Sequence, residues 1–230
     1  MISIYNAKYY DKIALSIPGY TEIIDRIIQI VDKKSYYTVL DIGTGTGRIP
    51  LKLADKVFKI VAVDISQEML DKLDEKIHKK HIDNIQIMKR NITDWQFLWP
   101  NNKPILSDCA FNSIICSFTL HHVNTKWKTI VLEKLRESLA LNGLLIIADV
   151  DIRKAWKIKK LVNHIYWELI KKRENRYPLC FILRQTLSYL FFEHPLPEES
   201  WIRLLTQIGY GNVKFETFNN FILIWTMRKI

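Results

Sequence analysis

Apolar residues follow two different rhythms along this chain. Ile23, Ile24, Ile27, Ile28 and Val31 fall at helical spacing and predict an amphipathic helix over 20–31. Residues 37–42 then form a short, nearly continuous apolar run, the pattern of a strand buried on both faces. The alternation continues with a helix over 48–54, a strand over 59–64 that ends in an acid, and a helix over 68–79 with Ser66 as its N-cap. Strands follow at 85–88, 113–117 and 144–148, the last preceded by a helix over 126–140 that Asn142-Gly143 stops. Strand and helix thus alternate five times over 36–150, which predicts an α/β fold: a doubly wound, mostly parallel sheet with helices on both faces. The tail differs. Residues 213–218 and 221–227 are β-rich runs around Asn219-Asn220, a spacing that predicts an antiparallel hairpin on the sheet edge.

Residues 151–195 stand apart. Ala155, Ile158, Leu161, Val162, Ile165, Leu169 and Ile170 trace one face of a long helix. This insertion is expected to form a helical lid over the C-terminal edge of the sheet, where open α/β sheets bind ligands. Over 151–190 there are ten Lys/Arg against three Asp/Glu, most of the chain's formal charge of +10. Three readings of that charge stay open: a solvated outer face, a membrane-surface helix, and a phosphate-binding face.

The 230 residues, 48% of them hydrophobic, suit one domain. Its parts are 1–35 (N-terminal helices), 36–150 (core), 151–195 (lid) and 196–230 (C-terminal strands). Cys109, Cys116 and Cys180 are odd in number and lack C-x-x-C spacing, so they read as reduced thiols rather than a disulfide framework or a zinc site. No metal is expected. There is no signal-peptide pattern and no run of about 18 apolar residues, so a cytoplasmic location is expected.

Three of the seven glycines lie within five residues, in Val39-Leu40-Asp41-Ile42-Gly43-Thr44-Gly45-Thr46-Gly47. A strand, a glycine turn and a helix start make a cradle for a nucleotide-type ligand. The spacing is G-x-G-x-G, which departs from the dinucleotide fingerprint, and no Lys-Ser/Thr follows to complete a Walker loop. Asp64 ends the next strand about 20 residues on, where a carboxylate can accept from both ribose hydroxyls of a ligand on the glycine turn.

The glycine run, Val61-Ala62-Val63-Asp64-Ile65-Ser66-Gln67-Glu68-Met69-Leu70, the segment 111–123 ending Leu120-His121-His122-Val123, and 139–149 come in one order. Together with Ile208-Gly209-Tyr210, they resemble the class I S-adenosylmethionine-dependent methyltransferases, in particular the small-molecule branch of ubiquinone/menaquinone-type enzymes. Five of the seven glycines (43, 45, 47, 143, 209) fall on motif positions.

The resemblance implies a seven-stranded Rossmann-like sheet and S-adenosylmethionine as cofactor, with S-adenosylhomocysteine as product. Asp41 and the backbone of Gly43, Gly45 and Gly47 would hold the methionine part, and Asp64 the ribose. Ile65 and Met69 would pack on the adenine. Asn91, with Ile92 beside it, stands where the family has an acid for the adenine amino group; its side-chain carbonyl can still accept, and Asp94 is the fallback. Asn112 also replaces an acid and reads as structural. Ser117 and Phe118 would offer backbone to the methionine amino group. Tyr5, Tyr9, Tyr10 and Asp11 would fold over the cofactor or pack on the surface, and Trp95, Trp99, Trp156 and Trp167 would line an acceptor pocket or belong to the core.

A base is needed only if the acceptor must lose a proton. His121 and His122 are the candidates, because they follow strand four at the cleft edge, the alternative being packing or capping. The expected function is methyl transfer by in-line displacement to a small, apolar or aromatic acceptor, with membrane-surface contact through the basic lid. Alternatives are an RNA methyltransferase and a non-catalytic cofactor-binding protein. Ser117-Phe118-Thr119-Leu120 stands where amino-group nucleic-acid enzymes carry Asn/Asp-Pro-Pro-Tyr/Trp, and Ile115 precedes Cys116 where a cytosine-C5 enzyme needs Pro, so nucleic acid is disfavoured. A monomer and a homodimer are both open.

Overall fold

The structure is a computed structural model that describes residues 7–31, 34, 36–94, 111–150, 195–219 and 221–228. The expectations placed on Tyr5, Trp95, Trp99, Trp156, Trp167, Cys109, Cys180 and the lid segment through residue 194 lie outside the described residues, as does the Tyr9 side chain. In chain order the elements are α1 (Ala7–Ser16), α2 (Tyr20–Ile30), β1 (Thr38–Ile42), α3 (Pro50–Leu53), β2 (Lys59–Asp64), α4 (Gln67–Lys80) and β3 (Ile85–Lys89). Then come β4 (Phe111–Ser117), a 3-10 turn (Leu120–His122), α5 (Thr125–Ser138), β5 (Leu139–Val150), α6 (Glu198–Ile208), β6 (Tyr210–Phe218) and β7 (Phe221–Arg228).

The seven strands form one sheet in the order β3-β2-β1-β4-β5-β7-β6. β1 to β5 pair in parallel; β7 runs antiparallel to both β5 and β6. The doubly wound sheet with its antiparallel C-terminal hairpin is therefore the observed fold. Strand order reverses between β1 and β4, so a crevice opens beyond their C-terminal ends.

Alternate residues of the central strands feed two cores. Leu40, Ile42, Ile114, Cys116, Leu145 and Ile147 pack on one face under α5 and α6, with Leu132, Leu135, Trp201 and Leu205. Val39, Ile115, Ile146 and Ala148 pack on the other with Ile23, Ile24 and Ile27 of α2. Burial on both sides is why these strands read as apolar runs instead of alternating ones.

Three element expectations change. The helix expected over 48–54 shrinks to Pro50–Leu53, because Gly45 (φ 55°) and Gly47 (φ 82°) keep the preceding turn in a left-handed backbone that cannot join a right-handed helix. α5 ends at Ser138, and β5 already begins at Leu139, which pairs with Phe111. Asn142 (φ 61°) and Gly143 lie within a bulged β5 and do not stop the helix. α6 adds to the expected elements; Pro197 before Glu198 and Glu199, with Trp201 and Leu205 buried four apart, is the signal that finds it.

Candidate active site

The glycine turn is pinned to the end of β2. Gly43 N and Thr44 N both donate to Val63 O at 2.8 and 3.0 Å. Gly45 N donates to Asp64 Oδ2 at 2.8 Å, while Ser66 N donates to Asp64 Oδ1 at 2.9 Å. Burial raises the Asp64 carboxyl above its ordinary range, and these N–H groups pull it back. The Ile65 N–H also bonds this carboxylate, and the lone pair that remains can take a ribose hydroxyl.

Gly43 and Gly47 are also required by space. A Cβ on Gly43 (φ 69°) would lie 1.8 Å from Thr119 Oγ1, and one on Gly47 would lie 2.2 Å from Leu73 Cδ1. Gly45 is open, its nearest neighbour being Tyr10 Cε1 at 3.5 Å.

Asp41 lies in β1, all five residues of which are buried, at 1% exposure, and its Oδ1 has no hydrogen-bond partner within 3.5 Å among the described residues. Thr44 Oγ1 beside it is likewise buried and unpartnered. Burial pushes the Asp41 carboxyl up to about 7, the neighbouring Asp64 adding to the rise. Two orphaned polar atoms under a glycine turn are a cost that a bound polar group would remove. The residues present therefore fit a ligand with a hydrogen-bond-donating group at this end, as the methionine ammonium of S-adenosylmethionine has.

Ser117 and Phe118 close the crevice from β4. Phe118 adopts φ 53° and stacks on Tyr20 at 5.1 Å and edge-on to Phe221 at 4.9 Å. Thr119 Oγ1 bridges Ile42 O and Ser117 O, both at 3.0 Å, tying the ends of β1 and β4 together.

On the β2 side, Ile65 is 51% exposed at the rim, whereas Met69 is a buried residue of the first turn of α4, whose N-terminus Ser66 caps. Asn91 is exposed, and its Oδ1 accepts from Thr93 N and Thr93 Oγ1 at 3.1 and 3.0 Å, a local turn. Ile92 is half-buried against the core, and Asp94 is exposed. Asn112 Oδ1 accepts from Thr38 N at 2.9 Å, a structural tie between strand starts.

At the C-terminal ends of β4 and β5 lies a second polar group. His121 Nδ1 sits 2.5 Å from Asp149 Oδ1, both side chains buried. The motifs give Asp149 no role of its own; an acid ending β5 is the signal that could have found it. The His122 ring lies 4.1 Å from that of His121. Burial, His121 and Lys128 lower His122 to about 3, so it stays neutral at physiological pH. Lys128 is fully buried, donates to Val123 O at 2.5 Å, and is lowered by burial to about 8.

The N-terminal helix crosses the glycine turn. Asp11 Oδ1 accepts from Thr46 Oγ1 at 2.5 Å and Arg48 Nη1 at 3.2 Å, and Oδ2 from Lys76 Nζ at 2.7 Å. Burial works to raise the Asp11 carboxyl, but the Lys76 and Thr46 hydrogen bonds outweigh it and hold it below its ordinary range. Cys116 is buried in β4 and its thiol is pushed up by burial, which leaves it no nucleophilic character. Among the described residues there is no His/Cys/Asp/Glu cluster that could hold a metal, and no helix long and apolar enough to cross a membrane.

Residues 39–143 match the family model of a methyltransferase domain. An uncharacterized methyltransferase of Schizosaccharomyces pombe is 30% identical over 118 residues, 51% of this chain; the chain covers only 40% of that relative's length. The carboxy-S-adenosyl-L-methionine synthase of Hydrogenovibrio crunogenus is 24% identical over 93% of this chain and 83% of its own length. Among solved structures, magnesium protoporphyrin IX methyltransferase from Synechocystis PCC 6803, with bound S-adenosylhomocysteine, superposes with a TM-score of 0.63 at 14% identity over 92% of this chain and 84% of that one. The family match spans the glycine turn, Asp64, β4 and the start of β5. The match of residues 39–143 to a methyltransferase domain, with these relatives, supports a class I S-adenosylmethionine-dependent methyltransferase.

Proposed function

We propose that this protein transfers a methyl group from S-adenosylmethionine to a small, apolar or aromatic acceptor whose reacting atom carries a proton. The observation that carries this reading is the buried His121–Asp149 pair at the C-terminal ends of β4 and β5, on the same sheet edge as the glycine turn. Bound in the crevice, the cofactor supplies a methyl group already activated by its sulfonium. The protein's part is then placement, exclusion of water and acceptance of the acceptor's proton.

Asp149 accepts the Nδ1 proton of His121, which leaves Nε2 as the basic nitrogen and stabilises the imidazolium formed when it takes a proton. His122, held neutral, suits an orienting role better than that of the base. A hydroxyl, phenol or acidic carbon acceptor of the quinone-precursor kind meets this chemistry.

The test is transfer of labelled methyl from S-adenosylmethionine into cell extract fractionated into lipid, small-molecule and RNA pools. Label in the lipid or small-molecule pool is expected. Label confined to RNA, or none in any pool, would overturn the reading. A second reading has one observation in its favour: the carboxy-S-adenosyl-L-methionine synthase relative matches nearly the whole chain, whereas the Schizosaccharomyces pombe methyltransferase matches about half. It predicts a nucleoside product that has gained a carboxyl group in place of S-adenosylhomocysteine, which mass spectrometry of the same incubations distinguishes.

A further inference from the structure

Arg48 follows the third glycine of the turn, and its guanidinium lies against two aromatic rings. Its Cζ lies 4.5 Å from the centre of Tyr10 of α1 and 4.6 Å from that of Tyr20 of α2. The side chain is 16% exposed. Of its five N–H donors, one meets a partner among the described residues, Asp11 Oδ1 at 3.2 Å. That carboxylate is already shared with Thr46 and Lys76. Arg48 lines a small cavity of about 20 Å³ with Tyr10, Tyr20, Asp41, Gly43, Thr44 and Ser117. The buried Asp41 carboxyl, with the Thr44 hydroxyl beside it, lines the same cavity, and Asp41 Oδ1 has no hydrogen-bond partner within 3.5 Å among the described residues. Spare guanidinium donors and a spare carboxylate acceptor lining one cavity are the complement of a zwitterion with adjacent carboxylate and ammonium groups.

We propose that Arg48 is a specificity-determining residue that reads the α-carboxylate of the cofactor's methionine end, with Asp41 receiving the α-ammonium. This rests on the S-adenosylmethionine reading of the site. A guanidinium fork pre-oriented by two aromatic faces meets a planar carboxylate through two parallel N–H···O bonds and loses little side-chain freedom in doing so. The cavity holds about one water, and Tyr10 of α1 forms part of its wall. Recognition of the carboxylate is thereby coupled to the N-terminal helix that Asp11 fastens over the turn.

The test uses calorimetry on the full chain with three ligands: S-adenosylhomocysteine, its decarboxylated analogue, and 5′-methylthioadenosine, which lacks the amino-acid end. The wild type is expected to prefer S-adenosylhomocysteine over the decarboxylated analogue by at least about tenfold, the scale of one charge-assisted pair. Arg48→Gln is expected to weaken S-adenosylhomocysteine by about 10- to 100-fold while changing methylthioadenosine less than about twofold. Arg48→Lys, a point charge without the fork, should fall between. Equal losses for S-adenosylhomocysteine and methylthioadenosine in a variant that unfolds like wild type, or an unchanged ratio, would overturn the assignment of Arg48 alone. No carboxylate preference in the wild type would overturn it without recourse to any variant. A wild type that binds none of the three would take the cofactor reading down with it.

Discussion

Asp41→Asn isolates the cost of holding a carboxyl in the dry floor of the site. The carboxyl stands at about 7 in the folded protein against an ordinary value of 3.8. A folded-state value above the unfolded one means the folded protein holds its proton more tightly. The associated stability is therefore fully present below about pH 4 and is lost as pH rises from there through 7. Each tenfold difference in proton affinity between the folded and unfolded chain is about 1.36 kcal/mol. The ligand-free protein thus loses up to roughly 4 kcal/mol to this group by pH 8, of which somewhat under half is already lost at pH 5. Asparagine keeps the shape and removes the ionisation. The stability of Asp41→Asn relative to wild type should therefore improve by about 2–3 kcal/mol between pH 5 and pH 8. Urea unfolding of both proteins, without cofactor, at pH 5, 6, 7 and 8 measures this. The buried amide carries its own cost, but that cost does not depend on pH, so the slope of the difference is the quantity to read. A difference that stays flat within error from pH 5 to 8 would refute the reasoning, since it would mean Asp41 ionises with an ordinary value in spite of its burial.

Other outcomes follow from the same geometry. Asp64→Ala removes the acceptor for Gly45 N and Ser66 N as well as the ribose ligand; S-adenosylhomocysteine affinity should fall at least about 30-fold by calorimetry, and retained affinity would exclude a ribose role. Gly47→Ala should cost about 2–4 kcal/mol, because a Cβ there meets Leu73 within the core at positive φ, whereas Gly45→Ala should cost only about 1 kcal/mol of backbone strain; equal losses in thermal unfolding would contradict the packing argument. Once an acceptor is in hand, Asp149→Asn and His121→Ala should each lower the transfer rate about 10²- to 10⁴-fold with cofactor affinity unchanged, and the acid limb of the pH–rate profile should move to lower pH in Asp149→Asn; a matching fall in affinity would mark the pair as structural.

Much of the architecture is legible in the chain. The parallel sheet can be read because strands buried on both faces leave runs such as Val39–Ile42 and Ile60–Val63, and the hairpin because Asn219 accepts φ 50° at its turn. Asp64 can be read from its distance to the glycine turn. Boundaries cannot. The end of α5 depends on Leu139 finding a ladder partner in Phe111, a contact between residues 28 positions apart that no local pattern contains.

Within the site, the linear order of residues is enough to say which end of the sheet binds the donor, since a glycine turn and an acid twenty residues later have that meaning wherever β1 and β2 lie side by side. What the charged residues around it do depends on the packed fold. Arg48 reads as an ordinary helix-start residue until α1 and α2 bring the Tyr10 and Tyr20 rings against it. His121 and His122 look equivalent until β5 delivers Asp149 to one of them and burial keeps the other neutral. Local composition sets backbone preference and polarity; the surroundings that fix a charge come from chain segments far apart in sequence.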